Sequence, residues 1–230
     1  MKYLILGDGQ LGKEMHKQTG WDYISRKKDN IDFTNYKSYI EYIKKYDVIV
    51  NCIAYTNTIH NEKEPHWSVN FAGVINLVDI CNSYKIKLIH ISTDYIYANS
   101  KPETSEEDVP VHLENWYTYT KLLADGYVQA KSKNYLLIRT SFRLRPFPFP
   151  KAWLDHLTNA DYIDIITHLI YMLIIQNEQG IFNVGTEIKT LYELAKQTKE
   201  DCKPMLDDHK FIRPLDVTMN INKLKDTLQL

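Results

Sequence analysis

Short apolar runs alternate along the chain with longer stretches that suit helices. A strand, helix, strand rhythm is typical of right-handed crossovers and of a parallel sheet covered on both faces. The runs that begin near residues 48 and 86 are almost continuously apolar, as strands covered on both faces are. The pattern therefore predicts an α/β fold with a doubly wound parallel sheet. The predicted strands are KYLIL, WDYIS, YDVIVNCIA, KIKLIHIS, NYLLIRTS and GIFNVG.

A glycine-rich turn follows the first apolar run. The segment LILGDGQLGKEM places Gly7, Gly9 and Gly12 between the first predicted strand and the first predicted helix. Glycine allows tight turns and close approach of a ligand to the backbone. The pyrophosphate of a dinucleotide binds in such a turn, because the free N–H groups and the dipole of the helix N-terminus favour negative charge. The pattern predicts a Rossmann-like dinucleotide-binding fold, with a tight turn that binds no ligand as the alternative.

The end of the second predicted strand, WDYIS, bears on the choice of cofactor. An acidic residue there would bind the ribose hydroxyls of NAD, whereas this chain has Ser25, Arg26 and Lys27. A guanidinium group can bind a phosphate through two hydrogen bonds, which favours the 2′-phosphate of NADP. We predict NADPH as the cofactor. NADH is left open, and so is a solvated basic loop at this position.

Composition narrows the class of partner. The 230 residues are 44% hydrophobic, which is typical of a globular protein with one sizeable domain or one domain and a small appendage. The formal net charge of −1 leaves no overall positive field for nucleic acid or for an anionic membrane. We therefore expect a small-molecule partner, with no nucleic acid and no membrane.

The cysteines and the N-terminus bear on the compartment. Cys52, Cys81 and Cys202 are odd in number and lack metal-ligand or redox spacing, so we expect ordinary thiols of a reducing compartment. The N-terminus has no signal-peptide pattern, and the longest apolar stretch, IDIITHLIYMLII, is too short to cross a bilayer. We expect a cytoplasmic protein. The histidines show no regular ligand spacing, so no metal site is predicted.

Candidate chemistry lies in the middle of the chain, in ISTDYIYA and WYTYTK. Tyr117 and Lys121 are four residues apart, so on a helix they share a face and the ammonium can lie near the phenol. A nearby cation lowers the pKa of a tyrosine, which favours proton exchange near neutral pH. Thr93 follows the fourth strand and can hydrogen-bond the same substrate oxygen. These residues predict a proton-transfer site beside the dinucleotide.

A proline-rich break, RLRPFPFPK, follows the fifth predicted strand. Proline interrupts regular structure, so the break predicts a division of the chain. Residues 1–145 are interpreted as an NADP-binding domain that carries the catalytic residues. Residues 146–230 are interpreted as a small, mainly substrate-binding portion, within which 180–185 is a candidate strand that returns to the core sheet.

Segments along nearly the whole chain resemble the extended short-chain dehydrogenase/reductase superfamily, and within it the dTDP-4-dehydrorhamnose reductase family and its nucleotide-sugar relatives. The separation of the threonine and the tyrosine, 117 − 93 = 24, is what that family leads one to expect. The similar segments occur in the family's order. They are GDGQLG, IDFTN, DVIVNCIAYT, VNFAGVINLVDIC, IHISTDYIYA, YTYTKLLAD, LLIRTS, GIFNVG and RPLDVTMNINKLK.

The resemblance implies three sets of site residues. The catalytic set is Thr93, Tyr117 and Lys121, and the substrate-binding set is Asp94, Tyr95 and Phe142, the last standing where the family tends to place a tryptophan. The cofactor-binding set is Gly7, Gly9, Gln10, Leu11 and Gly12 at the pyrophosphate, Asp32 and Phe33 at the adenine, and Ala54, Tyr55, Thr56, Tyr117 and Lys121 beside the nicotinamide. Ser25 and Arg26, predicted above from the end of the second strand, complete this set at the 2′-phosphate.

The resemblance also implies an activity, the reduction by NADPH of the 4-keto group of a nucleotide-linked 4-keto-6-deoxyhexose in deoxysugar biosynthesis. Tyr117 would give a proton to the carbonyl oxygen and Thr93 would polarise the carbonyl. Lys121 would lower the pKa of Tyr117 and hold the nicotinamide ribose. A homodimer is left open.

Departures from the family keep two alternatives open. The glycine loop is one residue short between its first two glycines, and the chain is shorter than typical members between LLIRTS and GIFNVG. A trimmed substrate region would suit a non-catalytic, NADP-binding regulatory subunit. The second alternative is a nucleotide-sugar epimerase. Bifunctional epimerase/reductases commonly place a cysteine after the catalytic serine or threonine, where this chain has Asp94, and simple reduction is therefore favoured.

Overall fold

Six short strands form one parallel sheet at the centre of the computed structural model, which describes residues 1–58, 62–113, 115–208 and 214–230. The strands are β1 (Tyr3–Leu6), β2 (Asp22–Ile24), β3 (Val48–Asn51), β4 (Lys87–Ile91), β5 (Tyr135–Thr140) and β10 (Gly180–Val184). Their order across the sheet is β10-β5-β4-β3-β1-β2, and all five pairings are parallel. The predicted doubly wound α/β fold is confirmed, and each predicted strand segment contains one of these strands.

Helices connect the strands. They are α1 (Gln10–Thr19), α2 (Arg26–Asp29), α3 (Ile40–Ile43), α4 (Lys63–Pro65), α5 (Gly73–Tyr84), α6 (Trp116–Lys131), α7 (Ile163–Ile175), α8 (Leu191–Lys196) and α9 (Asn222–Leu228). Of these, α1, α5, α6 and α7 cover the two faces of the sheet. A π-helical segment, His66–Ala72, joins α4 to α5, and short 3-10 helices cover Tyr36–Ser38 and Asp94–Tyr97.

The alternation of side chains along the strands divides the core into two layers. On β1, Ile5 faces the layer that α1 and α7 cover, whereas Leu4 and Leu6 face the layer that α5 and α6 cover. All three side chains are fully buried. Because successive side chains of a strand point to opposite faces, a strand covered on both sides must be apolar throughout, as the sequence of β1 is.

The first helix ends where its sequence requires. Gly20 follows α1 with a φ of +69°, in the left-handed conformation, and its N–H donates to His16 O at 2.8 Å. Glycine adopts this conformation without the steric cost that a side chain would add. The chain then enters β2 at Asp22, so Gly20 marks the end of α1.

Small sheets make up the C-terminal portion. They pair β6 (Phe142–Arg143) with β9 (Asp161–Tyr162), β7 (Lys151–Trp153) with β12 (Lys203–Met205), and β8 (Leu157–Thr158) with β11 (Lys189–Thr190). A separate apolar cluster packs there, around Phe147, Tyr162 and Leu194. However, α7 and β10 belong to the central core. The division of the chain at residue 145 stays a prediction.

Two further findings concern the membrane and the thiols. Among the described residues, no helix combines the length and the apolar character needed to cross a membrane. Cys52, Cys81 and Cys202 are free thiols, and the last two are buried.

Candidate active site

Two adjoining cavities open at the carboxyl edge of the central sheet, where the connections from β1 and β3 leave on opposite faces. Ligands of doubly wound sheets bind at such a point. The first cavity has a volume of about 530 Å³ and the second of about 670 Å³. Gly9, Cys52 and Ala54 line both. The two cavities therefore meet at the glycine loop and at the end of β3.

The glycine loop combines one open position with two crowded ones. A Cβ atom at Gly9 would meet no heavy atom within 4 Å, and Gly9 lines both cavities. A Cβ at Gly12 would lie 2.1 Å from the carbonyl oxygen of Gly7, and Gly7 itself has a φ of +99°. Gly7 and Gly12 therefore allow the tight turn, whereas Gly9 leaves space for a ligand. Gln10 and Leu11 begin α1 and line the first cavity.

The second cavity contains the residues predicted to bind the adenine. Asp32 and Phe33 both line it, and so does Arg26. The Asp32 carboxylate accepts hydrogen bonds from the backbone N–H and the hydroxyl of Thr34, at 3.0 and 2.7 Å. The ring of Phe33 is buried and stacks on Tyr39, with 5.6 Å between ring centroids. These contacts hold Asp32 and Phe33 in place beside the cavity.

Ser25 and Arg26 are placed differently, although they are adjacent in sequence. Ser25 is fully buried, and its hydroxyl accepts a hydrogen bond from the Lys28 N–H at 3.1 Å, so it caps the N-terminus of α2. The backbone N–H of Ser25 donates to the Asp29 carboxylate. Arg26 thus lies at the second cavity, whereas the Ser25 side chain caps the short helix that Arg26 begins.

The segment after β3 is held by an asparagine that the sequence reasoning did not single out. Asn70, in the π-helical segment, is buried; it accepts a hydrogen bond from Tyr55 N at 2.8 Å and donates one to Tyr55 O at 2.9 Å. Ala54 and Thr56 face the first cavity, and Ala54 and Tyr55 line the second. Departures from regular helix geometry are common at functional sites, and this one aims Asn70 at the loop.

Thr93, Tyr117 and Lys121 all line the first cavity. Thr93 follows β4 and caps the 3-10 helix Asp94–Tyr97 through its hydroxyl. Tyr117 and Lys121 lie one turn apart on α6, whose N-terminus is capped by the side chain of Asn115. The predicted catalytic residues therefore line one cavity, which Gly9 of the glycine loop also lines.

The electrostatics of Tyr117 differ from the prediction. Burial raises the pKa of the Tyr117 phenol, and the negative charge of Asp94 adds to the rise, while a hydrogen bond with Thr93 lowers the pKa. Lys121 is not among the main causes of this shift, and its ammonium donates to the carbonyl oxygen of Ile91 at 2.7 Å. The phenol is therefore protonated at neutral pH, in the form that can give a proton.

Lys121 is nearly inaccessible to solvent, with 2% of its surface exposed. Burial lowers the pKa of its amine from 10.5 to about 8, and the negative charge of Asp125 opposes this decrease. The amine is therefore charged at neutral pH but loses its proton far more readily than an ordinary lysine.

The predicted substrate residues Asp94, Tyr95 and Phe142 also line the first cavity. Asp94 is fully buried, and its carboxylate accepts hydrogen bonds from the hydroxyls of Ser141 and Thr93. Burial raises the pKa of this carboxyl. The ring of Tyr95 meets that of Tyr117 edge to face, with 6.4 Å between centroids.

Sequence reasoning missed several residues of the site. Arg143, beside Phe142, lines the first cavity, and its charge acts on Asp94. His66 is buried against the rings of Tyr55 and Tyr117. In the sequence, the position of Arg143 directly after the candidate Phe142 was the available signal. Within the described residues, no group of three or more His, Cys, Asp and Glu side chains is placed to hold a metal ion.

Fold and site together define a class of protein. A parallel doubly wound sheet, a glycine loop at the first strand–helix turn and the Thr93, Tyr117 and Lys121 arrangement are those of the extended short-chain dehydrogenase/reductase superfamily. The match of a family model to residues 1–167 is more specific. The chain belongs to the family described as RmlD substrate binding domain.

Similar proteins carry related names. A dTDP-4-dehydrorhamnose reductase of Mycolicibacterium smegmatis is 30% identical over 146 residues, which are 60% of this chain and 44% of that protein. The crystal structure of a hypothetical dTDP-4-dehydrorhamnose reductase from Sulfolobus tokodaii superposes with a TM-score of 0.83 and 26% identity, covering 98% of this chain and 94% of that one. The dTDP-4-dehydrorhamnose reductase of Bacillus anthracis in complex with NADP superposes with a TM-score of 0.84 and 23% identity, covering 99% and 92%.

The matched region spans about half the length of the curated relatives. It covers 44%, 53% and 47% of three of them. The family model, in comparison, matches residues 1–167, which contain the glycine loop and the candidate catalytic residues.

Proposed function

We propose that this protein is an NADPH-dependent reductase of the 4-keto group of a nucleotide-linked 4-keto-6-deoxyhexose, acting in deoxysugar biosynthesis. The observation that carries the proposal is that Thr93, Tyr117 and Lys121 line the same cavity as Gly9 and Gln10 of the glycine loop. A shared cavity supports the proposal, because hydride transfer coupled to proton transfer requires the proton donor and the dinucleotide to meet the same substrate.

The glycine loop fits a dinucleotide. Open space lies over Gly9, at the N-terminus of α1, where backbone N–H groups lack partners within the helix. Arg26 lines the second cavity and would pair with the 2′-phosphate, with Asp32 and Phe33 at the adenine end. The NADP named in the Bacillus anthracis complex supports this choice. NADH remains the alternative cofactor.

In the proposed reaction, the cofactor supplies a hydride to the carbonyl carbon of the sugar. Tyr117 gives its proton to the carbonyl oxygen as negative charge develops there, and the raised pKa of the phenol keeps that proton available. The Thr93 hydroxyl polarises the same oxygen. Lys121, held by the Ile91 carbonyl, would hydrogen-bond the nicotinamide ribose with its remaining N–H donors.

The electrostatic role of Lys121 follows from its burial. The amine is shielded from bulk water, so its charge acts strongly on developing negative charge. Lys121 therefore assists the proton transfer when the alkoxide forms, rather than by ionising Tyr117 beforehand. The phenol starts the reaction protonated.

An assay of substrate turnover tests the proposal. Purified protein is incubated with NADPH and a panel of nucleotide-linked sugars, which includes dTDP-4-keto-6-deoxyhexoses and matched UDP compounds, and NADPH consumption is followed at 340 nm. Oxidation of NADPH with formation of the 4-hydroxy sugar is the expected result. Tight NADPH binding without turnover of any member would contradict the proposal and favour the regulatory subunit.

A further inference from the structure

One face of α6 continues below the candidate active site to a buried acid. Tyr117, Lys121 and Asp125 are spaced four residues apart, so their side chains lie on the same face of the helix, one turn below another. Asp125 lines neither cavity and is fully buried. A buried carboxylate that touches no ligand space requires an explanation, because burying a charge is costly unless the charge is compensated.

Arg139 on β5 holds the Asp125 carboxylate. Its Nε donates to Asp125 Oδ2 at 3.2 Å, and Arg139 is 2% exposed. The guanidinium also donates to the hydroxyl of Tyr97, which in turn donates to Asn183 Oδ1 at 3.0 Å. Asn183 is buried in the strand next to β5. The acid is thus fixed to the central sheet and not merely to its own helix.

The charged and titratable groups that act on Lys121 come from three elements. Asp125 on α6 and Cys52 at the end of β3 act on its amine, and Lys121 in turn acts on His90 of β4. Burial raises the pKa of the Cys52 thiol to about 12, so that group is neutral at neutral pH. Burial also lowers the pKa of His90 well below its usual value, so its ring is neutral as well. Burial raises the pKa of the Asp125 carboxyl as well, and the charges of Arg139 and Lys121 and a hydrogen bond with Ser92 oppose this rise. The ion pair with Arg139 favours the carboxylate form, so Asp125 is the anion among these described groups.

We propose that Asp125 is a positioning residue, whose carboxylate, anchored by Arg139, keeps the Lys121 amine protonated and directed at the nicotinamide ribose. The ribose contact rests on the function proposed above, whereas the protonation of Lys121 does not. The Asp125 carboxylate is paired with Arg139, and its charge also acts on the Lys121 amine. Removing the carboxylate must therefore lower the pKa of the Lys121 amine. Removing the guanidinium, with Asp125 still ionised, must raise it.

The test measures the protonation of Lys121 directly. Protein labelled with 13C at the lysine Cε is titrated by NMR, and the Lys121 signal is assigned by its loss in Lys121→Met. In the wild type we expect this amine to titrate near pH 8. Asp125→Asn keeps the shape of the side chain and should lower the midpoint by about 1–3 pH units. Arg139→Met should raise it, and Arg139→Lys, which keeps the positive charge, should leave it nearly unchanged.

The opposite signs separate this role from a structural one. Asp125→Asn and Arg139→Met break the same ion pair, so if the pair only held the fold together, both variants would move the Lys121 midpoint in the same direction. That result, or an unchanged midpoint in Asp125→Asn, would overturn the proposal. If Asp125→Asn does not fold, the comparison of Arg139→Met with Arg139→Lys decides: a raised midpoint in Arg139→Met supports the proposal, and equal midpoints overturn it.

Titrations of NADPH on the same variants separate this inference from the proposed function. The affinity for NADPH should fall above the Lys121 midpoint of each variant, so the pH at which it falls should move down in Asp125→Asn. Opposite NMR shifts in a protein that binds no NADPH would support the electrostatic role of Asp125 and contradict the proposed function.

Discussion

The glycines of this chain allow a test in which the structure predicts three different results. Gly12→Ala places a Cβ 2.1 Å from the Gly7 carbonyl oxygen, and since both atoms belong to the backbone framework, the loop must move. Overpacking of this kind costs about 1–3 kcal/mol, and a direct backbone clash belongs at the upper end, so we expect a loss of about 3 kcal/mol in the free energy of unfolding.

The other two positions have open space. A Cβ at Gly9 or at Gly126 meets no heavy atom within 4 Å. Gly126 is exposed in the middle of α6, so Gly126→Ala should stabilise the protein by about 0.5–1 kcal/mol. Gly9→Val should leave the protein folded, but its branched side chain fills the space above the helix N-terminus. We expect NADPH affinity to fall about a hundredfold, which corresponds to about 2.8 kcal/mol.

Urea unfolding and fluorescence titration of NADPH measure both properties on the same samples, with Gly126→Ala as the matched control for each. Wild-type NADPH affinity in Gly9→Val would refute the assignment of the loop to a dinucleotide. Wild-type stability in Gly12→Ala would refute the close packing of the loop against the helix.

Two further predictions concern the cofactor. Arg26→Ala should narrow the preference for NADPH over NADH by about 1.5–3 kcal/mol, the typical contribution of a charge-assisted hydrogen bond. The neighbouring substitution Ser25→Ala should leave this preference unchanged. It should lower the free energy of unfolding by about 1 kcal/mol, because the helix loses its N-cap. Equal affinities for NADPH and NADH in the wild type would contradict the role of Arg26. On the proposed ribose contact, protonated Lys121 binds NADPH more tightly than the neutral amine, and the pKa of this amine is about 8, so NADPH affinity should fall as the pH rises through 8 towards that of Lys121→Met. The affinity should be lower and lack this dependence in Lys121→Met, and a wild-type affinity that stays constant to pH 10 would disprove the assignment.

The fold was predictable from the sequence because local patterns decide it. Continuous apolar runs such as that of β4 occur in strands covered on both faces, and the glycines of the first turn indicate where the sheet edge binds ligands. The sequence also predicted that Thr93 lies near Tyr117 and Lys121, and the three residues line one cavity. The carboxyl end of a parallel strand and the start of the following helix lie at the same edge of the sheet. These arguments need only the order of the elements.

Burial and long-range pairing were not predictable in the same way. The spacing of Tyr117 and Lys121 places them on one helix face, but it does not reveal that the ammonium would bind the Ile91 carbonyl. Nor does it reveal that burial raises the pKa of Tyr117. The sequence predicts Ser25 as a phosphate ligand, whereas the structure buries this residue. Its burial depends on how α2 packs, which the sequence pattern does not reveal. Desolvation and packing arise from the assembled structure.

The central claim is that Tyr117 is the proton donor of a reductase, and the most direct measurement is the turnover of Tyr117→Phe with saturating NADPH and sugar nucleotide. The substitution removes one oxygen and keeps the ring that packs against Tyr95, so folding and NADPH affinity should be retained. Positioned acid catalysis contributes about 10²–10⁴-fold, and we expect turnover to fall by that factor. Turnover within a few-fold of the wild type would contradict the account.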